Sequence, residues 1–162
     1  MASGRDCGSI LMTQPTQLSN QGTIFTGLST EMNSQANAAS VTSSAGGASG
    51  VFSNTQTGYY LNADMQLFLN TMTAPTAYNL VSGWFLETID GTNYETAAAA
   101  VNRNPDFSFT MAAITTGYYV CKGVFLPIAN FKIYLTNNSG QAFASSGNVL
   151  KILPYTSVYP TQ

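Results

Sequence analysis

The chain has 162 residues and few charges: Asp, Glu, Lys and Arg make up 7% of it, and the formal net charge is −2. Because a typical soluble domain carries roughly 25% charged residues, this chain must take its surface polarity from amides and hydroxyls, which cost less to bury than charges. The length fits one domain, and the composition favours a protein that lives in an assembly. A free protein with a weakly charged surface is the alternative.

Several partner classes are disfavoured by the residues that are missing. The cationic residues are scattered, which argues against nucleic-acid binding. They are Arg5, Arg103, Lys122, Lys132 and Lys151. No stretch approaches the roughly 20 apolar residues that span a bilayer, and residues 1–12 lack the pattern of a signal peptide. We therefore expect no membrane partner and a protein that is made and assembled in a cytoplasm.

Histidine is absent and cysteine is rare, which limits the possible chemistry. Without histidine the chain has neither Ser-His-Asp nor Cys-His catalysis, nor the commonest metal ligand. Cys7 and Cys121 lie far apart in sequence, and we expect free thiols in a chain with no export signal, a disulfide between them being the alternative. Zinc needs four ligands that these residues do not supply. We expect no metal, no cofactor and no enzymatic activity.

Residues 1–57 differ in composition from the rest of the chain. They are rich in Ser, Thr, Gln, Asn, Ala and Gly, with apolar residues in short islands, and they bury too little apolar surface to offset their ordering entropy. We predict a low-complexity, extended N-terminal arm whose islands dock on its own sheet or on neighbouring subunits; simple disorder is the alternative. The candidate interface residues in the islands are Ile10, Leu11, Ile24, Phe25, Val51 and Phe52.

Two strands are predicted at the start of the better patterned region. Residues 61–69 alternate, with Leu61 and four further apolar residues on one face, which predicts a strand with one buried side. Residues 80–89 carry large apolar side chains on both faces. Such a strand is central in its sheet or lies against another subunit, which makes Trp84 a candidate interface residue.

The middle of the chain is divided by turn residues. The Asp90-Gly91 pair predicts a hairpin whose return begins at residues 92–94. The alanines of residues 95–100 are enough for one helical turn but too few for a helix that is stable alone. Residues 107–111 alternate again, which predicts a strand.

Three further strands are predicted near the C-terminus, at residues 118–126, 130–136 and 149–155. In the second of these, apolar residues alternate with a face that carries Tyr134, a further candidate interface residue. Residues 137–140 tolerate positive φ, so we expect a chain reversal there. We expect the three strands to form one sheet and residues 59–89 to form its partner sheet.

The count of six to eight strands, joined by turns and without a long helix, defines an all-β fold. This spacing is typical of a sandwich or barrel, of which jelly-roll and immunoglobulin-like arrangements are the main forms. We predict an antiparallel, jelly-roll-like β-sandwich over residues 58–162, with the extended N-terminal arm before it.

Two groups of side chains are candidates for a functional site. Asp64, together with Glu87, Asp90 and Glu95 near the predicted hairpin, has the chemistry of a glycosidase pair or a Ca²⁺ site. Nothing in their spacing supports either, and turn-forming or solvated charges are the simpler interpretation. The aromatic residues, including Trp84, are typical of a sugar-stacking platform and equally of a core or an interface.

The order of turns and strands adds a family resemblance. The features are DGTNY at residues 90–94, a Leu126-Pro127 turn, Phe131-Lys132 in a strand, Asn137-Asn138 followed by Gly140-Gln141, and a closing Pro154-Tyr155. Over roughly residues 58–156 this order resembles a widespread group of small virion proteins of tailed bacteriophages. The resemblance implies a β-sandwich of jelly-roll type that serves as a capsid cement or decoration protein.

The resemblance also implies partners and a location. The chain would bind the major capsid protein as a homo-oligomer, a dimer or trimer, and would lie on the capsid surface of the virion. An alternative is a tail or head-fibre module of the virion that binds a host-surface glycan. An enzyme, such as a small glycosidase or esterase, is disfavoured because the chain has no histidine and the sequence places no pair of carboxylates together.

Overall fold

The computed structural model describes residues 21–43, 50–54 and 59–156, which form two antiparallel sheets packed face to face. The strands within these residues are β1 (Phe25–Leu28), β2 (Ser40–Thr42), β3 (Phe52–Ser53), β4 (Asn62–Leu69), β5 (Leu80–Thr88), β6 (Phe107–Thr110), β7 (Gly117–Phe125), β8 (Asn130–Asn138) and β9 (Val149–Tyr155). A 3₁₀ turn at Thr30–Met32 and one turn of α-helix, α1 (Ala97–Ala100), join them. The predicted all-β antiparallel sandwich is confirmed.

The two sheets are built by a chain that repeatedly crosses between them. Sheet 1 has the order β1-β9-β4-β7, and sheet 2 has the order β2-β8-β5-β6, with β3 also paired to β8. The three C-terminal strands therefore do not form one sheet, since β7 and β9 both pair with β4 whereas β8 pairs with β5. That prediction was wrong, because turn residues determine that the chain reverses but not which sheet the next strand joins.

Alternation in the sequence of β4 and β8 becomes alternation in burial. Met65 and Leu67 of β4 point into the space between the sheets, where Ile133 and Leu135 of β8 meet them in one continuous core. Leu61, predicted to share this buried face, is exposed. It lies one residue before β4 begins, so it has no opposing sheet to cover it.

β5 is the central strand of sheet 2 and is buried on both faces, as its apolar residues predicted. It pairs with β6 on one edge and with β8 on the other. Phe85 points into the core between the sheets, while Trp84 points outward and is still only 6% exposed. Gly83, the residue before Trp84, lies so close to the Phe107 ring that an added Cβ would be 2.1 Å from it.

Much of the predicted arm belongs to the sandwich. β1 pairs with β9 at the edge of sheet 1, while β2 and β3 pair with β8 at the edge of sheet 2. Leu28 and Met32 are fully buried in the core. The described part of residues 1–57 therefore lies on the chain's own sheets, where its apolar islands complete the sheet edges. Residues 1–20 lie outside the described residues.

β2 and β3 together act as one interrupted edge strand. β2 pairs with β8 up to Tyr134, and β3 resumes the pairing at Phe131. Between these points the N–H of Ser43 donates to the carbonyl of Ile133 at 2.8 Å, and its Oγ accepts from the N–H of Ile133 at 3.0 Å. The ladder along this edge of β8 is thus continuous across the interruption.

The Asp90-Gly91 pair ends β5 but starts no hairpin. β6 pairs with β5 only at residues 80–83. Beside the turn, this edge of β5 is taken by the side chains of Asp106 and Arg103 at Phe85 and by one backbone hydrogen bond, from the N–H of Glu95 to the carbonyl of Glu87 at 2.8 Å. No return strand forms, and that prediction was wrong. Instead the Asp90 carboxylate accepts hydrogen bonds from the N–H groups of Thr92 and Asn93 at 2.8 and 2.7 Å. The single helical turn expected from the alanines is present as α1, with Thr96 as its N-cap.

A buried asparagine holds the loops at one end of the sandwich. Asn137 of β8 is fully buried, and its Nδ2 donates to the carbonyls of Gln35, Ala36 and Gln141 at 3.1, 3.2 and 2.8 Å. Its Oδ1 accepts from the N–H of Ser139 at 3.0 Å. One side chain thus joins the β1–β2 connection to the predicted turn after β8.

Replacing Asn137 with Ala is expected to lower the free energy of unfolding by about 2–4 kcal/mol, because several buried backbone groups lose their partner. The neighbouring side chain of Asn138 is exposed, so Asn138→Ala is the matched control and is expected to change stability by no more than about 0.5 kcal/mol. Urea unfolding monitored by fluorescence measures both values. Equal destabilisation by the two substitutions would contradict the role assigned to Asn137.

Candidate interaction surfaces

Part of the outer face of sheet 2, around Trp84 and Leu86, is covered by the connection between β5 and β6, which contains α1. Ala100 is buried against Trp84 and Leu86, and Trp84 Nε1 donates to the carbonyl of Arg103 at 3.2 Å. Tyr134 is half-buried at the margin, with its ring centroid 5.8 Å from that of Trp84. The chain itself therefore occupies most of the surface through which Trp84 was expected to contact a partner.

Arg103 ties this cover to the end of β5. Its guanidinium donates to Asp106 at 2.6 Å, to Glu95 at 3.1 Å and to the carbonyl of Phe85 at 2.8 Å. Asp106 also accepts from the N–H of Phe85 at 2.7 Å. Burial alone would lower the pKa of Arg103, but the hydrogen bonds to the two carboxylates outweigh it and raise that pKa above its ordinary value. These ion pairs and hydrogen bonds therefore hold the β5–β6 connection against β5.

The acidic residues expected near the predicted hairpin do lie close together. Glu87, Asp90 and Glu95 line an open hollow of about 600 Å³ beside Arg103, whereas Asp64 is on β4 in the other sheet. Burial raises the pKa of Glu87, and the nearby carboxylate of Asp106 raises it further. Within the described part of the chain, no group of three or more Asp, Glu or Cys side chains is placed to hold a metal ion.

The outer face of sheet 1 is open to solvent across β9, β4 and β7. Tyr118 is 67% exposed and packs its ring on that of Phe68, with 4.6 Å between the centroids. Val120, on the next rung, is 54% exposed. We call this surface the open face; its rungs are Val149-Phe68-Tyr118, Lys151-Gln66-Val120 and Leu153-Asp64.

A β-bulge shapes the rim of the open face. The register of β4 and β7 shifts between Ala63 and Met65, and Gly123 takes a φ of +67° there, a conformation that favours glycine. The N–H of Gly123 donates to Asp64 Oδ1 at 3.1 Å. With the exposed Lys122 beside it, the bulge makes the free edge of β7 unsuited to strand addition, so the face rather than the edge is the candidate surface.

A second apolar surface, which we call the edge groove, lies between β1 and β3 and has a volume of about 440 Å³. The Phe25 ring stacks on that of Phe52 with 4.6 Å between centroids, and Phe52 lies 5.5 Å from Phe131. Val51 lines the groove and is 37% exposed. Three of the predicted island residues, Phe25, Val51 and Phe52, thus meet in one place.

The other candidate residues do not join this group. Ile24 is exposed beside the open face, where it lines a shallow pocket with Val120 and Leu153. Trp84 lies under the cover of sheet 2, with Tyr134 half-buried at its margin. Ile10 and Leu11 lie outside the described residues.

Sequence reasoning missed the open face as a surface. The alternation of residues 61–69 places Phe68 on the solvent side of its strand, and aromatic character alone does not distinguish Tyr118 from the other aromatic residues. The available signal was that Tyr118 and Val120 alternate with the buried Tyr119, so this strand, like β5, has large side chains on both faces.

Comparison of the chain with protein-family models, with curated proteins and with solved structures gives no match. Of the helices in the part of the chain that the structure describes, none is long and apolar enough to cross a membrane. A role for the open face or for the edge groove therefore has to be inferred from the residues of each surface.

Replacing Asp90 with Asn is expected to destabilise the protein at neutral pH, with the effect shrinking as the pH falls below about 4. Hydrogen bonds from the N–H groups of Asn93 and Thr92, and from the Asn93 and Thr88 side chains, hold the pKa of Asp90 below its ordinary value of 3.8. Because the folded-state pKa is depressed, the stabilisation is present above 3.8 and is lost as the pH falls through the folded-state value. Urea unfolding of both proteins between pH 7 and pH 2 measures this; a difference that is independent of pH would contradict it.

Proposed function

We propose that this chain is a structural virion protein without catalytic activity, a jelly-roll cement or decoration protein of a bacteriophage capsid. The strand order supports the jelly-roll topology. With β2 and β3 counted as one edge strand, eight strands give sheets of order 1-8-3-6 and 2-7-4-5. This is the order that two interleaved Greek keys produce in a jelly roll, an architecture used by viral capsid proteins and by lectins.

The open face is the observation that carries the proposal. Large apolar patches on a monomer are commonly binding surfaces, and here Phe68, Tyr118 and Val120 lie together on a sheet that no described segment covers. The polar side chains of this face are the amide of Gln66, Lys151 beside it and Asp64 toward the rim. Aromatic residues surrounded by a polar rim are typical of interfaces. On sheet 2, by contrast, the β5–β6 connection covers the aromatic side chain of Trp84.

The proposed partner is the major capsid protein, contacted through the open face by a dimer or trimer of this chain on the capsid surface. Only 7% of the residues of the chain are charged. A surface made mainly of amides and hydroxyls loses less solvation energy than a charged surface when a partner covers it. On a symmetric lattice many copies act together, so each contact needs only modest affinity.

Val120→Lys is expected to weaken binding to capsids stripped of this protein by at least about tenfold, because a charge replaces an apolar side chain that the partner covers. Val101→Lys is the matched control: the residue and substitution are the same, and Val101 is 46% exposed at the end of α1, away from the open face. Co-sedimentation with capsids measures binding, and circular dichroism verifies folding.

Loss of binding in Val120→Lys alone supports the open face as the capsid contact. Retained binding in both variants rejects it as that contact. Before this comparison, electron microscopy and mass spectrometry of purified particles locate the protein, and its absence from the shell would reject the cement proposal itself.

A glycan-binding module of a phage tail or head fibre is the second candidate, favoured by the Phe68–Tyr118 ring pair. The exposed Tyr118 ring, packed on the half-buried Phe68 with Gln66 on the next rung, combines a stacking surface with a hydrogen-bonding group. In this case Tyr118→Ala is expected to abolish binding on a glycan array. Tyr78→Ala is the control, since Tyr78 is 86% exposed in the β4–β5 connection. Reproducible glycan binding that requires only Tyr118 would replace the cement proposal.

A further inference from the structure

The edge groove has no part in the proposed capsid contact and presents a separate apolar site. Leu126 and Phe131 form its buried floor, and the half-buried rings of Phe25 and Phe52 form its sides. Its volume of about 440 Å³ lies in the range of pockets that enclose apolar ligands, roughly 300–1,000 Å³. A contiguous group of apolar side chains would remove this surface from water.

The N-terminal segment enters the sandwich beside this groove. Gln21 forms an antiparallel bridge with Tyr155, and the N–H of Gly22 donates to the carbonyl of Pro154 at 2.8 Å. Pro154 and Thr23 both line the groove. The chain before residue 21 therefore leaves the described part of the protein next to the opening of the groove.

The composition of the undescribed segments points to one occupant. Residues 44–49 and 55–58, which border the groove in sequence, contain no large apolar residue. In residues 157–162 the large apolar or aromatic residues are Val158 and Tyr159. Residues 1–20 contain three consecutive large apolar residues, Ile10, Leu11 and Met12.

We propose that the Ile10-Leu11-Met12 island of the chain's own N-terminal segment occupies the edge groove. The eight residues 13–20 between the island and Gln21 span at most about 28 Å when extended, which is enough to turn back to an adjacent groove. Closing so short a loop costs little entropy. The tether also raises the island's effective concentration to the millimolar range, which favours it over the island of a second copy.

Docking of the island would close the side of the sandwich where both sheets end in short strands. β1 has four residues and β3 has two, and the Phe25–Phe52 stack joins them. An apolar segment laid over this stack would bind both edges at once. The inference holds whether or not the chain is a cement protein, since it depends only on the groove and on the entry of the chain.

Disulfide trapping tests the contact directly. The full-length variant carries Leu11→Cys and Val51→Cys in a background where Cys7 and Cys121 are replaced by Ser, and it is oxidised with oxidised glutathione. We expect a monomer that has lost both free thiols. The control pairs Leu11→Cys with Val101→Cys, a valine at the end of α1 that does not line the groove, and is expected to cross-link at least about tenfold more slowly, since its effective concentration is lower.

A cross-linked dimer as the main product would overturn the proposal in favour of exchange between copies. Equal rates for the Val51 and Val101 pairs would overturn it in favour of an undocked segment.

A stability measurement tests the same contact without new cysteines. Changing Ile10, Leu11 and Met12 together to Ser is expected to raise the unfolding equilibrium constant at least about tenfold, because apolar surface in the groove becomes exposed to water. Deletion of residues 1–20 is expected to have the same effect. Changing Gln14, Thr16 and Gln17 to Ser is the matched control, with no change expected. A truncation must stop at residue 20, since β1 supplies the buried Leu28. No loss of stability in the Ser triple variant would refute the docking.

In a Val51→Ser background the island substitutions are expected to have a smaller effect than in the natural chain, since contacting residues couple energetically. Full additivity would show that the island stabilises the protein elsewhere than in the groove.

Discussion

β5 pairs with β6 and β8 along its two edges and buries Phe85 on one face and Trp84 on the other. The other elements of sheet 2 follow from this arrangement. The Phe107 ring lies against Gly83, where a Cβ would not fit, and the β5–β6 connection must lie over Trp84 to supply Ala100 and the carbonyl of Arg103. Since a buried indole N–H needs an acceptor, the cover is part of the fold rather than an addition to it.

Buried amides take the place that ion pairs have in more highly charged proteins. Asn137 joins two loops at one end of the sandwich, and Asn54 does the same at the other end by donating to the carbonyls of Tyr60 and Pro127. Asn148 connects β9 to the loops through the carbonyl of Ala144 and Asn33 Oδ1. Neutral groups with full hydrogen bonding are cheaper to bury than charges, so a chain with few charges fixes its loops this way.

The two sheets have different outer surfaces, so the two sides of the sandwich are not equivalent. On sheet 2 the β5–β6 connection covers Trp84, while sheet 1 presents Tyr118 and Val120 to solvent. The edge groove lies at a third position, where β1 and β3 end the sheets. The proposed capsid contact and the proposed docking of the island therefore use separate surfaces, and both can be formed at the same time.

The amino-acid sequence by itself determined the strands and the sandwich class, because the alternation of β4 and β8 and the two apolar faces of β5 are properties of neighbouring residues. It also marked Phe25, Val51 and Phe52 as residues that need a contact. Only the tertiary structure decided which sheet each strand joins, that β1 lies beside β9, and that α1 covers Trp84 while nothing described covers Tyr118. The physical reason is that an apolar pattern determines that a side chain is buried, whereas its cover comes from residues far away in the chain.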